Sequence, residues 1–243
     1  MKKIIIQGIR MKKLLAVAIV AATPMMAQAD LLFTVKAGAS MWNAEATGSV
    51  EDSSSSSFDL DDDLGIDSET NNVLFVAFEH PIPVLPNIKI MKTDLDFSGS
   101  NSSEIDLSHT DLTMYWGVPL PIPYVDINFG LTARQFDGSV DVPTGPIDEN
   151  LNVIMPMGYL NVDIGTPFGI YARADLNAIS YDGNGVTDTA IALGYTLPIP
   201  LVDVNLEAGH RSINLTTDED TVDVETDIDV SGMFFGLNVS IGL

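Results

Sequence analysis

The chain has 243 residues, no cysteine, and 34 acidic residues against 11 basic ones, a formal charge of −23. Five of the basic residues lie in the first 29 positions, where there is no acid, so the remainder carries six basic residues against 34 acidic and a net −28. Such a surface repels polyanions, which excludes nucleic acid as a partner; without thiols there is neither a disulfide scaffold nor a thiolate site.

Lys12 and Lys13 precede an apolar run over 14–22, and Ala27-Gln28-Ala29 has the small-x-small form of a cleavage site. These residues predict an export signal over 1–29, with Met11 as an alternative start and the mature chain beginning at Asp30. The run is about nine residues, short of the roughly 20 a spanning helix needs. No later stretch is longer. A membrane crossing by this chain therefore uses strands, and residues 30–243 are expected to form one all-β domain.

Four Pro/Gly segments punctuate that domain: Pro81-Ile-Pro-Val-Leu-Pro86, Pro119-Leu-Pro-Ile-Pro123, Gly165-Thr-Pro-Phe-Gly169 and Pro198-Ile-Pro200. Proline has no N–H for a ladder, so these are turns between strands. Polar connections alternate with them at 49–68, 98–104, 138–150, 182–185 and 216–225. Nine connections join ten strands, which the pattern places at 31–46, 70–80, 87–98, 104–117, 124–137, 150–164, 168–181, 186–197, 202–215 and 226–243. The expected fold is a transmembrane antiparallel up-and-down β-barrel of about ten strands, with eight as the alternative, its short turns periplasmic and its acidic loops outside. In the last strand Phe235, Leu237, Val239, Ile241 and Leu243 alternate with Gly236, Asn238, Ser240 and Gly242, as between lipid and a polar lumen.

The same period of two assigns the interior. Phe33, Val35, Ala37, Ala39 and Met41 face lipid, which places Lys36 inside. Lys92, Asp94 and Asp96 are assigned inward from the third strand, Asp126 and Arg134 from the fifth, Arg173 and Asp175 from the seventh, and Asp203, Glu207 and Arg211 from the ninth. Five of the six mature cations are thus expected in the lumen beside carboxylates, as a cross-linked charge plug; a narrow charge-selective channel is the alternative.

In the first outer loop, Asp59, Asp61 and Asp63 have the one-three-five spacing of a calcium loop, with Asp67 following. The glycine falls one place late, at Gly65, and the twelfth position is Thr70, so this is no EF-hand. A solvated acidic loop is the simpler reading, and a weak Ca²⁺ or Mg²⁺ site bridging lipopolysaccharide phosphates is the functional one. Asp218-Glu-Asp220 reads the same way. His80, His109 and His210 are scattered; His210 with Asp94 and Asp96 superficially resembles the omptin proteases, but no Asp-x-His pair accompanies it, so the expectation is no enzyme, with an outer-membrane hydrolase as a remote alternative. Trp42, Trp116, Tyr115, Tyr124, Tyr159 and Tyr195 are expected in interfacial girdles.

The Ala27-Gln-Ala-Asp-Leu31 junction, the Asp62-Asp-Leu-Gly65 segment, the proline turns and the apolar last strand together resemble a family of small Gram-negative outer-membrane β-barrels of roughly 240 residues. That resemblance implies an outer-membrane address, contact with outer-membrane lipid and lipopolysaccharide, and assembly by the barrel-assembly machinery through the C-terminal strand; a monomer is the expectation for the chain itself. The family has no catalytic motif, so no site residue is carried over. Two functions follow: a structural or surface-interaction barrel with a plugged lumen, or a narrow cation-preferring or small-solute channel.

Overall fold

The computed structural model describes residues 33–52, 56–142, 147–217 and 224–242; the export-signal segment, Asp218-Glu-Asp220 and Leu243 lie outside them. The strands, in chain order, are β1 (Thr34–Asp52), β2 (Ser56–Asp59), β3 (Glu69–Glu79), β4 (Asn87–Thr93), β5 (Asp96–Ser98), β6 (Glu104–Asp106), β7 (His109–Gly117), β8 (Val125–Phe136), β9 (Gly138–Val142), β10 (Ile147–Leu151), β11 (Ile154–Gly165), β12 (Ile170–Tyr181), β13 (Asn184–Leu197), β14 (Asp203–Thr217) and β15 (Val224–Gly242).

Ten of these strands close a barrel in the order β1-β3-β4-β7-β8-β11-β12-β13-β14-β15, with β15 pairing back to β1 from Thr34↔Gly242 to Asp52↔Val224. Every neighbouring pair is antiparallel. Closure satisfies each strand's backbone without leaving an edge, which a lipid environment demands. The four proline turns and both ends of the barrel wall lie at one rim, the periplasmic one; the longer connections lie at the other.

Alternation sets the two faces. Met41, Leu74, Ile90, Leu112, Leu131, Leu160, Ile191, Leu206 and Phe235 are large, apolar and exposed on the outside. Their strand neighbours point inward and are buried or half-buried. On a closed barrel, an outward apolar ring of this kind is the lipid-facing belt.

Two of the expected strands, 87–98 and 104–117, are each divided. Their barrel parts are β4 and β7, and their outer parts, β5 and β6, join β9 and β10 in a separate sheet of order β10-β9-β6-β5. The connections expected at 98–104 and 138–150 are thus largely ordered into a small cap. β1 runs on to Asp52, beyond the expected 46, and β2 folds back along its end, pairing Ser49↔Asp59 to Asp52↔Ser56.

Candidate functional site

The lumen is the place where this chain concentrates buried polar chemistry, and it is layered. At the periplasmic end Lys36 Nζ donates to Glu79 Oε1 at 2.8 Å, which also accepts from the Tyr115 hydroxyl at 2.7 Å. Across the lumen, Glu207 accepts from Tyr171 at 2.6 Å, from Arg173 Nη1 at 2.8 Å and from Asn238 Nδ2 at 3.0 Å. Lys89 Nζ donates to the Tyr159 hydroxyl at 3.0 Å and lies 3.8 Å from Asp175, which also pairs with Arg173 at 3.0 Å. Thr113, Thr132 and Asn177 make a hydroxyl–amide chain above them.

The next layer is the most enclosed. Arg134, 0% exposed, forks onto Asp111 through Nε and Nη2, both at 2.8 Å, and its Nη2 also reaches Asp188. Arg211 forks onto the same Asp188 through Nε at 3.0 Å and Nη2 at 2.7 Å, while Nη1 donates to Thr93 Oγ1 at 3.2 Å. Its guanidinium lies 4.8 Å from the ring centre of Trp42. Two cations and two anions cancel, and the Arg134–Asp111 and Arg211–Asp188 pairs take the bidentate geometry that is the strongest form of such a contact. His109 completes the layer: Nδ1 donates to Leu107 O at 2.9 Å, which leaves Nε2, 3.5 Å from Arg211 Nη2, as the acceptor of a neutral ring.

Above this layer the interior turns apolar. Trp42, Leu60, Leu64, Ile66, Leu95, Phe97, Ile105 and Leu107 form one buried cluster. Leu60, Leu64 and Ile66 come from the acidic loop, which folds into the outer mouth. Leu60 N donates to Gly48 O and Ser100 N to Leu64 O, tying the loop to β1 and to the cap. A cavity remains between Leu95, Leu107, His109, Phe136, Ile213 and Ile228.

The residues assigned from the sequence distribute as follows. Lys36, Arg134, Arg173, Asp175, Glu207 and Arg211 meet in the lumen; Asp126 and Asp203 share its parity but sit exposed at the periplasmic rim. Lys92, Asp94 and Asp96 do not join it. Ile88 and Ile90 face lipid, so every even position of β4 faces outward; Lys92 pairs with Asp94 at 3.0 Å on the outer face, and the inward cation is Lys89. A one-residue error of parity flips a whole strand. Asp111, Asp163, Asp188 and Glu79 were unassigned, although the same alternation in β7, β11, β13 and β3 marks them as inward.

The four carboxylates of the first loop do not converge. Asp59 Oδ1 accepts from the backbone N–H of Asp61 and Asp62, and Asp63 Oδ2 accepts from Asp59 N–H, so two of the four close the turn itself; Asp67 is exposed. Among the described residues, the one group of three metal-ligating types within 4.8 Å is His109, Asp111 and Asp188. Its carboxylates are already matched by Arg134 and Arg211, which would repel a cation. His210 lies on the lipid-facing side of β14, opposite Met233 and Ile191, and is separated from Asp94 by several strands, so the imagined constellation does not form. Of the six girdle aromatics, Trp116, Tyr124 and Tyr195 face outward, whereas Trp42, Tyr115 and Tyr159 are inside.

No protein-family model matches the chain, and no curated protein matches it. Among solved structures, it is similar to Neisserial surface protein A (12% identity, 87% of this chain and 97% of that one, TM-score 0.32). It is also similar to the β domain of the Bordetella autotransporter BrkA (8%, 87% and 100%, 0.43) and to a Pseudomonas aeruginosa FadL homologue (7%, 87% and 90%, 0.36). The molecule's own closed ladder and outward apolar ring make it a ten-stranded transmembrane β-barrel of the outer-membrane type.

Proposed function

We propose that this is an occluded barrel, whose role is structural or lies in surface interaction rather than in passage through the lumen. The observation that supports this is the Asp111–Arg134–Asp188–Arg211 layer. Opening a path through it separates forked ion pairs inside the protein, and losing one partner of such a pair costs about 3–5 kcal/mol. The apolar cluster above it is a second obstruction of different chemistry. On this reading the acidic outer loops are the working surface, where carboxylates would share divalent cations with lipopolysaccharide phosphates. The role is non-enzymatic: His109 stands beside carboxylates, but it is enclosed and its ring nitrogens are engaged.

Single-channel recording of the exported barrel in a planar bilayer tests this, with heat-shifted gel migration establishing closure beforehand. A folded, silent barrel is the expected result. Reproducible cation-selective steps would overturn occlusion and put the narrow channel in its place.

A further inference from the structure

We propose that the four proline turns are not in periplasmic water but are embedded among the acyl chains of the periplasmic leaflet, as an apolar foot that completes the lipid-facing belt. The proposal is independent of whether the lumen conducts.

On β3 and β4 the belt on the strands is too short without them. At about 3.3 Å per residue and about 40° of tilt, a strand gains roughly 2.5 Å of height per residue. On β3 the outward apolar residues run from Leu74 to Phe78, about 10 Å by that measure, and on β4 only from Ile88 to Ile90, about 5 Å. A barrel's apolar band is about 25 Å tall. The belt cannot be extended outward, because Asn72 and Thr70 follow on β3 and the Lys92–Asp94 pair on β4. It can be extended downward. The turns read His-Pro-Ile-Pro-Val-Leu-Pro at 80–86, Val-Pro-Leu-Pro-Ile-Pro-Tyr at 118–124, Thr-Pro-Phe-Gly at 166–169 and Pro-Ile-Pro-Leu-Val at 198–202, and none of the chain's 45 charged residues is in them (34 acidic and 11 basic). The shortest turn joins β11 and β12, where the outward apolar stretch is long; the two seven-residue turns flank β4 and β7, where it is short.

Three features of the turns suit lipid. Their tips are bare: Val84 is 83% exposed, Phe168 82% and Leu201 85%. The backbone N–H groups of the turn at 80–86 are largely satisfied from within, which lowers the cost of leaving water. In 80–86 three prolines remove donors, His80 N–H goes to Asn87 Oδ1, Ile82 N–H to His80 Nδ1 and Leu85 N–H to Ile82 O. The turn also leans against the outer wall, where Trp116 Nε1 donates to Val84 O at 3.3 Å. Finally, Leu201 has φ 69°, a left-handed conformation that glycine would adopt without strain. A branched apolar side chain in that conformation, projecting into water, would be unfavourable twice over; projecting into acyl chains, its burial offsets the strain.

The absence of cysteine permits a direct test. Val84→Cys, Phe168→Cys and Leu201→Cys would each carry a nitroxide in the exported full chain, reconstituted in phospholipid vesicles, with Ile90→Cys as the belt reference and Asp61→Cys as the water reference. Relaxation by oxygen and by a water-soluble nickel chelate reads depth. The expected oxygen-to-nickel ratio at the three tips is several-fold above that at 61 and close to that at 90. A ratio like that at 61 would overturn the proposal. So would labels shielded from both relaxers at high protein-to-lipid ratio that become nickel-accessible on dilution, which would make the foot a contact between copies. The three positions are independent, so one misfolding variant leaves two readouts.

Discussion

Arg134 has no exposed surface and two carboxylate partners, one on its neighbouring strand and one across the lumen. Truncating it to methionine leaves Asp111 without a cation and Asp188 with Arg211 alone. We expect Arg134→Met to destabilise the folded barrel by about 3–5 kcal/mol, the usual penalty for stranding a buried charge, read from urea unfolding in lipid by gel migration. Asp111→Leu combined with Arg134→Met should cost less than the two single changes together, because the second change removes the charge the first stranded. Strict additivity would mean that the pair is not coupled. These partners also mark the limit of what the sequence discloses at this scale. That Arg134 and Asp111 face inward is legible from alternation, since Leu112 and Ala133 beside them are apolar. That Arg134 also meets Asp188, on β13, depends on barrel stagger and lumen width, to which a linear pattern is blind. Lys92 shows the opposite hazard: Ile88 and Ile90 carried the correct parity, but the run of charges after them suggested a lumen where the outer face was merely leaving the lipid.

At the scale of elements, the cap and the folded-in loop meet at two glycines. A Cβ at Gly99 would lie 2.5 Å from Leu64 O, and one at Gly65, whose φ is 61°, would lie 2.4 Å from Ser100 Oγ. Gly99→Ala should therefore push the loop off the cap and accelerate protease cleavage within 59–68, with heat-shifted migration of the barrel unchanged; unaltered cleavage would mean the approach is not what holds the loop. The cap also carries a pH dependence. Asp96 and Asp106 are direct cross-strand partners, and Asp96 is pushed up to about 6, chiefly by desolvation, then by the charge and hydrogen bond of Asp106 and by Asp94 and Glu104 nearby. An unfolded aspartate releases its proton near 4, so between about 4 and 6 the folded cap binds more protons and its stability falls as pH rises through that window. Amides of β5 and β6 should exchange more slowly at about pH 5 than at pH 7, beyond the intrinsic rate change, and Asp96→Asn should remove the difference. The barrel strands were legible because lipid and lumen impose a strict period of two. The cap was not, because β5 and β6 are three residues each and lie within what reads as a continuation of two longer strands.

Taken whole, the molecule obstructs its lumen twice, by unlike means at different heights. The salt-bridged layer lies level with the outer edge of the lipid belt, where Arg134 pairs with Asp111 beside Leu112 and Ala133. The apolar cluster built by Leu60, Leu64, Ile66 and the cap residues lies beyond it. Hydrophobic occlusion is strongest where polar groups are absent, and ion pairing where water is excluded, so each layer strengthens the other: the cluster keeps water from the guanidiniums, and the neutral tetrad offers no net charge to draw ions inward. Removing either should therefore leave the barrel silent. Excising 60–66 with a short glycine link should wet the outer mouth but leave the tetrad paired; Arg134→Ala with Asp188→Ala should weaken the tetrad but leave the cluster in place. Only the combined variant should conduct in a planar bilayer. Conductance from the loop excision alone would show that the tetrad is no barrier to ions, and silence of the combined variant in a properly closed barrel would shift the seal to the Tyr171–Arg173–Glu207 layer beneath.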